Sequence, residues 1–481
     1  MTQQANSPLY DVLIVGAGIS GIGLGIRLRE AGFDNFVILE KAADLGGTWR
    51  DNTYPGCACD VPSALYSYSF APNPRWSRMF APQQEIWDYL KRCADKFGVT
   101  PHMRFNCEVE KAEYDEQKQI WHVTTHDGTE LTTRIFVSGI GALSIPAYPK
   151  LPGLENFQGE AFHSARWNHD YDLTGKRVAA VGTGASAIQF VPRIAPQVEQ
   201  LDLYQRTPPW VLSKPDRRMT KIEKLLFKTL PMTQKLFRGG IYWWMESRVL
   251  GLAVDPRAMK LAELYGRHFI RRNIKDPELR KKVTPDYTIG CKRILMSDEY
   301  YPSLNRDNVA VLTDGIQEVK AHSIVDGKGV EREMDCIIYG TGFKVSDPIG
   351  PMQIIGKGGE EIRDTWDETG MEAYLGISVS GFPNFFMLLG PNTGLGHTSI
   401  VFMIEAQVNY VMQAVNKLLR EDAGSLDVKP EVQAGFNRRL QAQLDEAVWS
   451  SGGCESWYLD EFGKNRTLWP SFTFQRTILP R

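Results

Sequence analysis

Two runs of apolar, mostly β-branched residues lead straight into glycine-rich turns and then into apolar residues at helical spacing. Val12-Leu13-Ile14-Val15 precedes Gly16-Ala17-Gly18-Ile19-Ser20-Gly21, and Val178-Ala179-Ala180-Val181 precedes Gly182-Thr183-Gly184-Ala185-Ser186-Ala187. The first unit continues as a helix over Ile19–Ala31 and a strand over Phe36–Glu40. Gln84–Phe97 has helical periodicity, with Ile86, Tyr89, Leu90 and Cys93 on one face. Glu108–Arg134 alternates apolar and polar positions about a His126-Asp127-Gly128 turn, and Ile135–Gly139 reads as a further buried strand. Residues 216–290 change to Lys, Arg, Leu and aromatics at helical spacing, as in Leu225-Leu226-Phe227 and Tyr242-Trp243-Trp244-Met245. Strands resume near Val309, Cys336–Tyr339 ends in Gly340-Thr341-Gly342, and a helix is predicted from about Thr398 to Leu419.

This pattern predicts an α/β fold: two Rossmann-like dinucleotide-binding domains, with an all-helical insertion in the second. The prolines at 146, 149 and 152 mark the linker between them. The expected division is 1–145 and 345–481 for the first domain, 146–215 and 290–344 for the second, and 216–289 for the insertion. The insertion reads as a helical subdomain burying its own aromatics. A substrate cap and a basic aromatic face against a membrane surface are its functional alternatives.

Each glycine turn carries a discriminating residue. Its glycines allow a tight turn, close approach of backbone to a pyrophosphate and close helix–strand packing, with the diphosphate at the helix N-terminus. Counting 24 residues on from Gly16 gives Glu40; the same count from Gly182 gives Arg206. A carboxylate accepts ribose hydroxyls and repels a 2′-phosphate, whereas a guanidinium pairs with that phosphate. The expectation is FAD, or NAD, at the first site (Gly16, Gly18, Gly21, Glu40). NADPH is expected at the second (Gly182, Gly184, Ser186, Ala187, Arg206), with the Thr207 hydroxyl beside the phosphate.

Bulk composition narrows the classes. The 481 residues allow two or three domains, and 23% charged with 43% apolar residues is globular. A net charge of −2 argues against a nucleic-acid partner. Seven scattered cysteines without paired metal spacing predict a reducing, cytoplasmic setting, no metal and no disulfide framework. The polar start, Met1 to Pro8, carries no signal-peptide core. Ala373–Ile404 has no charged residue, but its prolines, glycines and asparagines rule out a spanning helix, so no stable membrane insertion is expected.

Between linker and second turn lies Phe157-x-Gly159-x-x-x-His163-x-x-x-Trp167. This resembles the signature of the type I Baeyer–Villiger monooxygenases, except that Asn168 stands where Pro or Asp is usual. Gly46-Gly47-Thr48-Trp49, Tyr54-Pro55-Gly56 and Asp60 resemble a second family motif, and the likeness spans essentially the whole chain. The resemblance implies a class B flavin monooxygenase: NADPH reduces FAD, the reduced flavin adds O₂, and a C4a-peroxide attacks a ketone to give an ester or lactone. A monomer or weak homo-oligomer acting on a small ketone is expected.

Shielding an anionic oxidant in a dry pocket requires a fixed cation, and arginine suits because it stays protonated and has a rigid fork. Cys291-Lys292-Arg293 resembles the family's Lys-Arg pair. Arg293 is thus the expected stabilising cation, Lys292 a 2′-phosphate ligand, and Asp60 the ionised partner orienting Arg293. By the same resemblance Gly47, Trp49 and the Asn392–His397 loop contact the flavin. Trp457, in a C-terminal mobile loop, contacts the nicotinamide ribose. His163 is read as a hinge residue between domains rather than a proton donor. The rivals are oxygenation of sulfur or nitrogen nucleophiles, a flavin reductase using Cys57 and Cys59, and a non-enzymatic redox sensor.

Overall fold

The computed structural model describes residues 9–345, 349–421, 423–454, 456–460 and 462–475. The polar start (Met1–Pro8) and Glu455 and Glu461 of the C-terminal loop lie outside the described residues.

Two sheets carry the molecule. The first runs in the order Gln353–Ile355, Val109–Asp115, Ile120–Thr125, Glu130–Ser138, Leu9–Val15, Phe36–Leu39 and Met103–Arg104, with Phe385–Met387 also pairing onto Glu130–Ser138. Leu9–Val15 pairs in parallel on both sides, and Val12, Leu13 and Ile14 are fully buried. A parallel strand covered on both faces needs such a continuous apolar run. The neighbouring meander is antiparallel, and Val109–Asp115 alternates buried and exposed positions. Where the sequence suggests a separate strand at Ile135–Gly139, the structure has one continuous strand, Glu130–Ser138. Its first half pairs with the meander and its second half lies between Leu9–Val15 and Phe385–Met387, so its patterning changes midway.

The second sheet is all parallel: Val309–Leu312, Gln200–Tyr204, Arg177–Val181, Cys336–Tyr339 and Glu160–His163. From Arg177–Val181 the strand order runs outward to Gln200–Tyr204 on one side and to Cys336–Tyr339 on the other, so a topological switch point falls at the Gly182 turn, where α/β sheets bind ligands. The two glycine turns are built alike. Gly16 has φ +100° and Gly182 φ +102°. A Cβ on Gly16 would stand 2.7 Å from the Gly139 carbonyl oxygen, and one on Gly182 2.6 Å from that of Gly340. Only glycine fits either place.

The insertion comprises helices Lys221–Thr229, Pro231–Glu246, Met259–Asn273 and Pro277–Val283. A capping box starts the first: Thr220 Oγ1 accepts from the Glu223 N–H at 3.1 Å, and the Glu223 carboxylate accepts from the Thr220 N–H at 2.8 Å. The base is closed by a short parallel pair, Val211–Leu212 with Leu295–Met296. This two-residue neck is too short to register in the sequence pattern, yet it sets the position of the preceding Arg293. The insertion buries its own aromatics only in part: Phe227 and Tyr287 are buried, but Trp243 and Trp244 are 62% and 47% exposed. No helix among the described residues is long and apolar enough to cross a membrane.

Candidate active site

A cavity of about 1090 Å³ runs between the two sheets and is lined from both glycine turns. At its first end, Gly18 caps helix Ile19–Glu30 with no side-chain bond to the first-turn N–H groups. At the other, Ser186 precedes helix Ala187–Ile194 and likewise gives none. Both helix starts thus present backbone donors to the cavity, as a pyrophosphate requires. A Cβ on Gly47 would come 3.2 Å from the Gly18 Cα, so the Gly46–Gly47 turn narrows the first cradle.

Glu40 follows strand Phe36–Leu39 and is held in place by three donors. Its Oε2 accepts from the Ala17 N–H at 2.9 Å, and its Oε1 from the Ala42 N–H and Arg50, each at 3.0 Å. A carboxylate has about four acceptor positions, so one remains for a ribose hydroxyl rather than two. Arg50 was missed by the sequence reading, although it directly follows the Gly46–Trp49 motif.

The second site differs by one residue from the count. Val15 pairs with Leu39, while Val181 pairs with Tyr204. Gln205, not Arg206, therefore stands where Glu40 stands in the first unit. Gln205 is buried and donates to the Lys282 carbonyl at 2.8 Å. Arg206, next along, is exposed and lines the cavity together with half-buried Thr207. The Thr207 carbonyl accepts from Thr183 Oγ1 at 3.3 Å. Lys292 lies over the Tyr287 ring at 5.3 Å and lines the same cavity. The second site thus combines a neutral amide with cations where the first has a carboxylate.

Deeper in, Asp60 and Arg293 meet. Arg293 Nη2 donates to Asp60 Oδ2 at 2.7 Å and Oδ1 at 2.9 Å, and Nε donates to Oδ2 at 3.1 Å. Burial opposes ionisation of Asp60, but Arg293, with Lys214 beside it, outweighs that and holds the carboxyl below its ordinary range. Asp60, against the cost of burial, pushes the guanidinium above its own ordinary range. Lys214, also unforeseen from the sequence, donates to the Cys59 carbonyl at 3.1 Å.

The expected flavin-side residues separate. Trp49 is buried at the cavity wall, and its indole donates to the Tyr66 hydroxyl at 3.1 Å. Asn392 is buried and donates to the Asn465 and Leu468 carbonyls at 2.8 and 3.2 Å, while its neighbours Pro391, Thr393 and Gly394 line the cavity. Trp457 is half-exposed at the cavity beside Tyr458, ring centroids 4.4 Å apart. Burial pushes the Tyr458 hydroxyl up to about 12, with Arg293 working the other way.

His163 ends strand Glu160–His163, pairs in register with Tyr339 and is fully buried, behind the cavity lining rather than part of it. Its Nδ1 accepts from the Ala165 N–H at 3.1 Å, and its ring meets Tyr148 and Phe343 edge-on, both on the linker side. Phe162 and Trp167 of the same stretch pack together at 5.1 Å. Phe157 packs at the margin of the second sheet, and a Cβ on Gly159 would come 2.5 Å from the Asp335 carbonyl. Gln189, another residue the sequence did not flag, ties the units: its Oε1 accepts from the Tyr54 hydroxyl at 3.0 Å, and its Nε2 donates to the Ala58 carbonyl at 3.0 Å.

The cysteines require a correction. Cys291 and Cys454 form a disulfide across 163 residues, contrary to the expectation of unpaired thiols. Pairing so distant leaves no spacing signal. Cys57 and Cys59 stay separate and buried, and burial pushes the Cys57 thiol up to about 12. Neither forms the dithiol a flavin reductase would use.

Two glycine cradles, one beside a carboxylate and one beside cations, with an Arg–Asp pair in the wall of the cavity they share, fit a flavoprotein that binds two dinucleotides. Residues 10–356 match the flavin-binding monooxygenase-like family. A Baeyer-Villiger monooxygenase of Pseudomonas aeruginosa is 55% identical over 98% of this chain and 89% of its own length. One of Streptomyces coelicolor is 47% identical over 96% and 89%. Among solved structures, a steroid monooxygenase bound to NADP superposes with a TM-score of 0.87 at 31% identity, covering 98% of this chain and 97% of that one. The chain belongs to this family, and within it to the FAD- and NADPH-dependent Baeyer–Villiger monooxygenases.

Proposed function

We propose that the chain inserts one oxygen atom of O₂ beside the carbonyl of an apolar ketone to give an ester or lactone, with Asp60 and Arg293 as its working charges. The observation that carries this reading is their bidentate contact in the cavity wall. The chemistry FAD would supply when bound is hydride acceptance from NADPH and activation of O₂. Gly16, Gly18, Glu40, Gly47 and Trp49 would hold FAD, with Gly21 packed behind the turn against Gly16. Gly182, Gly184 and Ser186 would hold the NADPH pyrophosphate, with Ala187 packed behind them against Gly340, and Arg206, Thr207 and Lys292 would hold its 2′-phosphate. Arg293 keeps a fixed positive charge where negative charge develops on oxygen during attack at the carbonyl. Asp60 orients that fork and stays ionised, so it does not act as an acid. Trp457, half-exposed at the cavity, would cover the nicotinamide ribose. Oxygenation of sulfur or nitrogen uses a protonated oxidant and has no need of a fixed cation. We read residues 1–145 and 345–481 as the FAD domain, 146–215 and 290–344 as the NADPH domain, and the cytoplasm, where NADPH is regenerated, as the location.

A panel of linear, cyclic and aromatic ketones, scored by NADPH consumption and product mass, tests the reading. Ester or lactone formation with at least one ketone is expected. Sulfoxide or N-oxide products without any ester would end it.

A further inference from the structure

The helical insertion presents an apolar outer face that the active site does not use. On helix Pro231–Glu246, Met232, Leu236 and Trp243 stand at positions i, i+4 and i+11, one stripe, and are 63%, 70% and 62% exposed. The opposite side, with Gln234, Ile241 and Met245, is buried. Helix Lys221–Thr229 packs alongside through Phe227 and Phe237, ring centroids 5.4 Å apart. Ile222 and Leu225 of that helix are 70% and 60% exposed. Helix Met259–Asn273 repeats the composition, with Leu261 and Leu264 exposed. Water-facing apolar area on this scale marks an interaction surface.

Its charge identifies the occupant. Lys221, Lys224 and Lys228 recur at i, i+3 and i+7 beside the apolar positions, and Lys235 flanks Leu236. Among the described residues none of these four lysines makes an ion pair. The two helices hold only two carboxylates. Glu223 is taken by Arg217 and the capping box, and Glu246 is fully buried against Thr473. Residues 216–290 carry 17 Lys and Arg against 8 Asp and Glu, in a chain whose net charge is −2. A second copy related by a twofold axis would set this positive face against itself, which like charges oppose. A bilayer with anionic headgroups satisfies both halves of the surface: acyl chains for the leucines and tryptophan, phosphates for the lysines.

We propose that this face of the insertion docks on an anionic lipid bilayer, with the Met232–Leu236–Trp243 stripe in the headgroup–acyl boundary and the lysines against the lipid phosphates. The lipids contact the protein only there, so docking is separable from turnover. Because the lysine contribution is screened over about 8 Å at physiological salt, binding weakens as salt rises.

Flotation of the purified holoenzyme with vesicles tests this. One set is phosphatidylcholine alone, and the other contains about one third phosphatidylglycerol. Wild type is expected to float with the anionic vesicles roughly tenfold better than with the neutral ones, and less so in high salt. Leu236→Glu with Trp243→Glu should abolish flotation. Lys221→Glu with Lys224→Glu and Lys228→Glu should erase the anionic preference. Both variants should keep wild-type FAD content and turnover of a water-soluble ketone. Failure of wild type to float with anionic vesicles overturns the proposal, as does flotation that neither variant changes. Sedimentation velocity is the companion measurement. A wild-type dimer that the stripe variant converts to monomer, without vesicle binding, assigns the face to a second copy and overturns the proposal too.

Discussion

Cys291, two residues before Arg293, is bonded to Cys454, three residues before Trp457. One covalent link therefore holds the segment bearing the cavity's cation to the loop bearing its half-exposed tryptophan. A cross-link of this kind typically contributes about 2–4 kcal/mol, largely by restricting the open chain. Cys454→Ser should make residues 453–466 more sensitive to limited proteolysis and raise the KM for NADPH, and dithiothreitol should do the same to wild type. Identical digestion patterns with and without reductant would contradict a closed loop held by this bond.

The second cradle makes a quantitative prediction about nicotinamide choice. Gln205 brings no negative charge, and Arg206 is exposed in the cavity lining. Contacts from a cation to phosphate are worth about 1.5–3 kcal/mol each, roughly tenfold or more. Wild type should prefer NADPH over NADH by a large factor in kcat/KM, and Arg206→Ala should erode that preference mainly through KM for NADPH. Equal use of NADH by wild type would remove Arg206 from the 2′-phosphate site.

His163 lies between the linker aromatics Tyr148 and Phe343. Burial holds its imidazole below the ordinary range, with Arg166 adding to that effect and the Gly342 backbone opposing it. Below the ordinary histidine pKa of about 6.5, the unfolded chain takes up a proton that the folded chain resists, so this residue lowers stability as the pH falls. His163→Gln should flatten that part of the stability profile. It should also slow flavin reduction and uncouple NADPH use from product, because domain register affects both half-reactions. In stopped-flow absorbance, normal reduction with abolished oxygenation would make His163 a proton-transfer residue instead.

Much of this was legible in the sequence because local rules carry it. Apolar runs before glycine turns predict both strand–turn–helix units, and the 216–290 periodicity predicts helices, since each depends on neighbours within a few residues. The Asp60–Arg293 contact, 233 residues apart, came from family resemblance and not from spacing. Equal counts of 24 concealed the one-residue difference between Glu40 and Gln205, because a count carries no register. The Cys291–Cys454 bond, the Val211–Leu212 neck and the Gln189 bridge depend on tertiary approach and leave no periodic trace. Exposure of Trp243 was equally hidden, since an aromatic at helical spacing reads the same whether it faces core or solvent.

The Arg293 charge is the centre of the account. Arg293→Ala should still bind FAD, seen as flavin absorbance, and should still be reduced by NADPH. Loss of one preorganised donor at a developing charge typically costs about 10²–10³ in rate, roughly 3–4 kcal/mol. Arg293→Lys should recover little, because an ammonium cannot reproduce the two-pronged contact with Asp60. The decisive measurement is ester formed per NADPH consumed by Arg293→Ala with a ketone that wild type converts. The account predicts a ratio near zero with reduction intact, and ester formation at close to the wild-type rate would contradict it.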